Sequence, residues 1–312
     1  MHNLRRFFYQ NKNKIIKTIL MIVFIIALIQ LLNYLAKNKN EEGLTQVSKN
    51  TNTNTANTES GKALISNQSA ISGKDVSKKQ LTNATTTIGS FMEYCNKQDL
   101  ENAYNLLTDD CKNQMFTSLE VFKQAYYNNV FNGQKKTYTV ENWFGDTYKV
   151  KINEDILATG KNNEYSKQDY ITVKEVNGKY LLNINNYIGY TEINQETTKD
   201  DITVKVVGKN EYNDYEEYTM KVTNNTENTI LLDTVNNSET LYLEDDNGKK
   251  HPYYNHELTQ SALTVEAGQT KDVTIKFYSG YTSNKKIKAI VFSNIISTNE
   301  QLSERIEFRA KV

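Results

Sequence analysis

Two cysteines, Cys95 and Cys111, enclose a loop of 15 residues, and the spacing of the residues around them puts both on inward faces of neighbouring predicted helices. In an oxidising compartment such a pair forms a disulfide worth about 3 kcal/mol of loop entropy. The competing reading is two buried free thiols, ordinary for so apolar a side chain. A cysteine nucleophile is not expected, because no His lies within residues 72–196 to activate one. His251 and His256 stand in His-Pro-Tyr-Tyr-Asn-His-Glu257, which lacks the i, i+4 helical pairing of zinc enzymes, and Pro252 disfavours a helix there. The run Glu244-Asp-Asp-Asn-Gly248 lacks the alternating oxygen ligands of a calcium loop and reads as a hairpin turn. No metal and no cofactor are expected.

The acids available to a catalytic pocket, Asp109, Asp110, Asp146, Asp155 and Asp169, fall at helix starts or between predicted strands, where turns are usually solvated. Phosphate loops, nucleophile elbows, metalloprotease motifs and Cys-x-x-Cys pairs are absent from the sequence, so an enzyme is not expected. Tyrosine is over-used, with 21 residues against 11 Phe. Tyr138, Tyr148, Tyr170 and Tyr180 lie in or beside strands. Those of one parity would line a concave pocket with an apolar body and a polar tip, suited to a glycan, peptide or lipid. Ordinary half-exposed strand positions are the alternative.

These residues need elements to position them. Ile88, Phe91, Met92 and Cys95 fall at i, i+3, i+4, i+7, and Leu100, Ala103, Tyr104 and Leu107 repeat that spacing. Asp99 and Thr108 are suited to cap the helices that follow, and Thr117-Ser-Leu-Glu120 is a capping box. After Phe131 the period becomes two: Tyr148, Val150 and Ile152 alternate with polar residues. Asn177-Gly178 between Ile171-Val173 and Tyr180-Leu182-Ile184 is a strong hairpin signal. Helices followed by an antiparallel sheet predict an α+β domain over 72–196. Seven or so short apolar runs from Ile202 to Val312 predict an all-β sandwich over 197–312.

Charge adds a further division. The chain carries 37 Lys+Arg and 37 Asp+Glu, with no acid in its first 36 residues. Setting aside Arg5, Arg6, Lys12, Lys14 and Lys17 leaves 32 basic residues against 37 acidic ones, about −5. A balanced net charge gives no basic footprint for nucleic acid, and a mean hydropathy of −0.66 excludes a polytopic membrane protein. Residues 18–36 are almost wholly apolar, long enough for a transmembrane helix, behind a basic tail of residues 1–17. Residues 37–71, rich in Asn, Thr, Ser and Lys, read as a flexible linker. The expectation is a single-pass cell-membrane protein, N-terminus cytoplasmic and both folded domains extracellular.

The order of short helices and then a curved antiparallel sheet resembles the nuclear-transport-factor-2-like (cystatin-like cone) superfamily. More narrowly, Phe91-Met-Glu-Tyr-Cys95-Asn-Lys-Gln-Asp99, Ala103-Tyr104-Asn-Leu-Leu107, Cys111-Lys112, Phe122 and Tyr126 look like clostridial-type membrane-anchored proteins. Leu263-Thr-Val-Glu-Ala-Gly-Gln269 and Val273-Thr-Ile-Lys-Phe277 are similar to bacterial immunoglobulin-like domains. The resemblance implies architecture and carries over no catalytic residue. It suits a non-enzymatic interaction or scaffold module at the bacterial cell surface, with a protein or cell-envelope partner and scope for homo-oligomers. The alternatives are a receptor for a glycan, peptide or lipid through the cone pocket, and an assembly subunit of a conjugation or secretion machine.

Overall fold

The computed structural model describes residues 68–154, 166–281, 286–297 and 305–312. All of them belong to one compact unit, Ala56–Val312, in which two large apolar cores form.

The first core begins with α1 (Lys78–Asn96), opened by Ser77, whose hydroxyl accepts from Gln80 N at 3.2 Å. Its apolar stripe, Leu81, Ala84, Ile88, Phe91, Met92 and Cys95, is buried along one face. The chain turns through Gln98 in a left-handed conformation and enters α2 (Leu100–Asn105), capped by Asp99. Next comes α3 (Asp109–Met115), capped by Thr108. Ser118, rather than Thr117, caps the next helical run, accepting from Val121 N at 3.2 Å. That run is α4 (Leu119–Phe122), a π-helical turn (Lys123–Tyr127) and α5 (Asn128–Val130). The π turn brings the large rings of Phe122 and Tyr126 into a stack 5.9 Å apart.

Strands β1 (Lys136–Phe144), β2 (Thr147–Glu154), β3 (Ser166–Val176) and β4 (Lys179–Asn183) form an antiparallel meander in chain order. Asn177 and Gly178, both at positive φ, make the tight turn between β3 and β4. Residues 69–71, at the end of the expected linker, belong to this fold: the amides of Ala70 and Ile71 donate to the carbonyls of Asn142 and Trp143.

The expected fold class, an α+β cone domain followed by a separate all-β sandwich, needs correction. After the turn at Asn185 and Asn186, β5 (Tyr187–Lys199) leaves the first sheet and pairs with β6 (Ile202–Tyr212). The first sheet therefore stays a four-stranded antiparallel meander and forms no cone. Strands dominate the described chain. Apart from two short turns at 255–263, its helices are confined to residues 78–130.

A second sheet has the order β12 (Thr270–Phe277), β7 (Glu216–Asn224), β6, β5. In β6 the burial alternates strictly, with Ile202, Val204 and Val206 inward. A third sheet has the order β10 (Lys250–Pro252), β9 (Leu241–Asp245), β13 (Ile287–Ser297), β8 (Ile230–Leu231), β11 (Thr264–Val265), with β14 (Arg305–Lys311) on β13. Val206, Met220 and Ile275 from one sheet and Leu243, Ile290 and Phe308 from the other are all buried in the second core. The two cores meet at Tyr212, a β6 residue buried in the first core, whose hydroxyl accepts from Gln114 at 3.0 Å.

The expected single-pass, cell-surface placement is withdrawn. Among the described residues no helix is long and apolar enough to cross a membrane. The longest, α1, is studded with Lys, Thr, Asn and Gln on its outer face. The apolar run 18–36, the tail 1–17 and most of the linker lie outside the described residues.

Candidate functional site: a polar groove beside the first helix

Gly145, at φ +57, turns the chain between β1 and β2 and sets Asp146 opposite the first turn of α1. There Gln80 Nε2 donates to Asp146 Oδ1, tying the turn to the helix, while Val173 N donates to the Asp146 carbonyl at 2.9 Å. One register step along, β2 contributes Tyr148, β3 contributes Val173 and Glu175, and β4 contributes Tyr180, opposite Glu175 across the ladder. With Ser77, Lys79, Gln80 and Ala84 of the α1 end, these residues enclose a groove of about 330 Å³. Its floor is Ala84, Val173 and Tyr148; its rim carries Lys79, Asp146 and Glu175.

Tyr148 is the unusual member. Its ring is 0% exposed, and its hydroxyl is buried without a hydrogen-bond partner. A hydroxyl in that state costs about 1–3 kcal/mol. Burial, with the Asp146 charge adding to it, pushes the phenol up to about 12, so the hydroxyl keeps its proton at neutral pH. Beside it Tyr180 Oη donates to Glu175 Oε2 at 3.1 Å.

The four tyrosines expected to share a pocket therefore separate. Tyr148 and Tyr180 line the groove. Tyr138 is buried in the first core. Tyr170, the neighbour of inward-facing Ile171, packs its ring against Trp143 at 5.2 Å. Lys79, Gln80 and Glu175 were not singled out from the sequence. About 100 residues separate the helix from β3 and β4, and only the pairing register brings them together.

The other reactive groups are occupied by the fold. Cys95 and Cys111 are both buried in the first core as free thiols. Burial pushes the Cys111 thiol up to about 12 and Cys95 further. Asp169, 5% exposed, accepts from Tyr126 Oη at 2.8 Å, Asn185 N at 3.0 Å and Asn186 N at 2.9 Å. Burial raises its pKa despite these bonds. His251 lies on β10, with Nε2 3.1 Å from Asp245 Oδ2. Asp245 also accepts from the amides of Asn247 and Lys249, closing the turn read from Glu244–Gly248. Lys209 pairs with Glu216 at 3.2 Å and Glu211 at 2.8 Å. Among the described residues no group of three or more His, Cys, Asp or Glu side chains is placed to hold a metal ion.

A run of tyrosines extends outward from the first core, with Tyr215 meeting Tyr254 edge-on at 5.9 Å. Tyr187 meets Tyr212 at 5.3 Å, Tyr212 stacks on Tyr215 at 4.2 Å, and Tyr254 stacks on Tyr278 at 3.6 Å. Tyr281, reached from the second sheet, packs edge-on to Phe144 at 5.4 Å, next to the Gly145–Asp146 turn.

Compared with known proteins, the chain matches no family model, no curated protein and no solved structure.

Proposed function

We propose that this protein is a non-enzymatic interaction module that receives a small ligand, or a protruding group of a partner, in the groove beside α1. The observation that carries the reading is the Tyr148 hydroxyl, buried on the groove floor with no partner. A fold has no reason of its own to keep that hydroxyl, since a phenylalanine would fill the same volume without the polar penalty. The non-enzymatic part is supported by the state of the reactive groups. Both thiols are desolvated far from any nucleophilic form, and His251 is held against Asp245. The groove acids share their near oxygens with Gln80 and Tyr180.

The test is a thermal-shift screen of the full chain against glycans, short peptides, lipids and amines, run in parallel on Gln80→Trp. That substitution, at an exposed helix position, fills the groove mouth. A ligand that raises the melting temperature of the wild type and not of Gln80→Trp supports the reading. Stabilisation that persists in Gln80→Trp places binding elsewhere and overturns it.

A further inference from the structure

The groove offers more hydrogen-bond acceptors than the fold uses. Asp146 gives Oδ1 to Gln80 and Glu175 gives Oε2 to Tyr180, so Asp146 Oδ2, Glu175 Oε1 and the buried Tyr148 oxygen are left without a hydrogen-bond partner among the described residues. Among the described residues Lys79 is the only cation lining the groove, and no ion pair joins it to either acid. Two carboxylates against one ammonium leave the lining negative by one charge.

The possible occupants differ in what they would satisfy. An anion would face two carboxylates at the rim, and like charges at such range repel. The positive end of α1 does not reverse that preference, because Ser77 and the Gln80–Asp146 link already answer it. An apolar guest would leave the Tyr148 hydroxyl unpaired. A primary ammonium brings one positive charge and three N–H donors, matching the charge deficit and the number of unpartnered acceptors. A volume of about 330 Å³ suits a small molecule.

We infer that the groove binds the primary ammonium group of a small organic ligand, with Asp146 and Glu175 supplying the opposite charge and Tyr148 Oη accepting an N–H. This rests on the reading of the groove as a binding site and narrows it to a ligand class. The free amino acid, amino sugar and diamine are sources of the same chemistry. Lys79, at the α1 end of the groove, distinguishes them, since it would pair with the carboxylate of an amino acid and repel the second charge of a diamine.

Isothermal titration of the full chain with L-alanine, glucosamine, putrescine and N-acetylglucosamine decides the matter. At least one of the three amines is expected to bind and N-acetylglucosamine to fail. Glu175→Gln, at an exposed site, and Tyr148→Phe are each expected to weaken amine binding by about tenfold, the scale of one charge-assisted bond. Tyr148→Phe should melt no lower than the wild type in the absence of ligand. Preference for alanine over putrescine that disappears in Lys79→Ala assigns an amino acid; the reverse preference assigns a diamine. N-acetylglucosamine binding as tightly as glucosamine, and lost in Gln80→Trp, would overturn the ammonium inference and leave the groove a receptor for another class. Amine binding untouched by both Glu175→Gln and Tyr148→Phe, or no amine binding at all, would overturn it too.

Discussion

Asp169→Ala is the perturbation whose cost can be worked most fully. The carboxylate holds Tyr126, itself 1% exposed, and the two consecutive left-handed residues Asn185 and Asn186 that swing β5 out of the first sheet. Removing it strands three donors. Tyr126 Oη is sealed in the core, and abandoning it costs about 2 kcal/mol. The amides of Asn185 and Asn186 border a hollow of about 220 Å³ that also touches Asp169. Water can reach them there, so each costs nearer 1 kcal/mol. Against this stands the relief of a carboxylate whose charge burial disfavours, which offsets roughly 1 kcal/mol. The net expectation is a loss of about 3 kcal/mol, a large share of the roughly 5–15 kcal/mol typical of a folded unit. Urea denaturation should show it as a midpoint lowered by on the order of 1 M with an unchanged slope. Asp169→Asn adds a check on the charge. Because the folded-state pKa of Asp169 lies above its usual value of 3.8, its protonation contributes stability that is complete below that value and lost as pH rises through the folded pKa. The wild type's advantage over Asp169→Asn should therefore widen as pH falls from 7 toward 4. A loss under about 1 kcal/mol for the alanine variant, or an advantage that widens with rising pH, would refute the reasoning.

Three further outcomes follow from the same packing. Cys95 and Cys111 should both resist a thiol reagent in the native protein and both react after unfolding without reductant; fewer than two thiols released would favour the disulfide expected for an oxidising compartment. Burial holds the hydroxyls of Tyr126, Tyr148, Tyr187, Tyr218 and Tyr253 above the ordinary value of 10. Their stabilising contribution is complete below that pH and is lost as pH climbs, so the last rise in tyrosinate absorbance, that of the buried rings, should coincide with loss of circular dichroism, and ionisation of every tyrosine while the dichroism is still native would count against it. At Gly208 an added Cβ would run into the ring of Tyr190, which lies across it on the neighbouring strand. Gly208→Ala should cost about 1 kcal/mol alone and much less in a Tyr190→Ala background, a non-additivity that a double-mutant cycle measures.

Local signals carried far in this sequence, and assembly carried less. The stripe from Ile88 to Cys95, the caps at Asp99 and Thr108 and the Asn177-Gly178 hairpin are all formed by contacts within a few residues, and each appears where its residues place it. The course of β5 is different. Tyr187 to Lys199 alternates poorly and is largely exposed along its second half, so its periodicity does not say which sheet it joins. That choice, made by the Asn185–Asn186 turn and by pairing with β6, is what removed the expected cone. β8, β10 and β11 are two or three residues long and exist through their partners alone. Half of the groove was legible: the parity of Tyr148 and the hairpin position of Tyr180 pointed to a shared surface. Tyr138 lies on β1, a strand the sequence did not delimit, and the covering helices seal it into the core. Tyr170 sits next to Ile171 and so takes the opposite face of β3. The α1 side of the groove depends on how the helix crosses the sheet, which leaves no mark in a single sequence.

The central claim is that the groove between the start of α1 and the first sheet is where this protein meets its ligand. Heteronuclear NMR of the full chain, titrated in turn with L-alanine, glucosamine and putrescine, tests it most directly. The expected result, with at least one of the amines, is a saturable set of amide shifts centred on Lys79, Gln80, Asp146, Val173 and Glu175, while a separate hollow of about 380 Å³ lined by residues from Ser261 to Lys271 stays unmoved. Shifts centred on Ser261 to Lys271, or a spectrum that does not change, would contradict it.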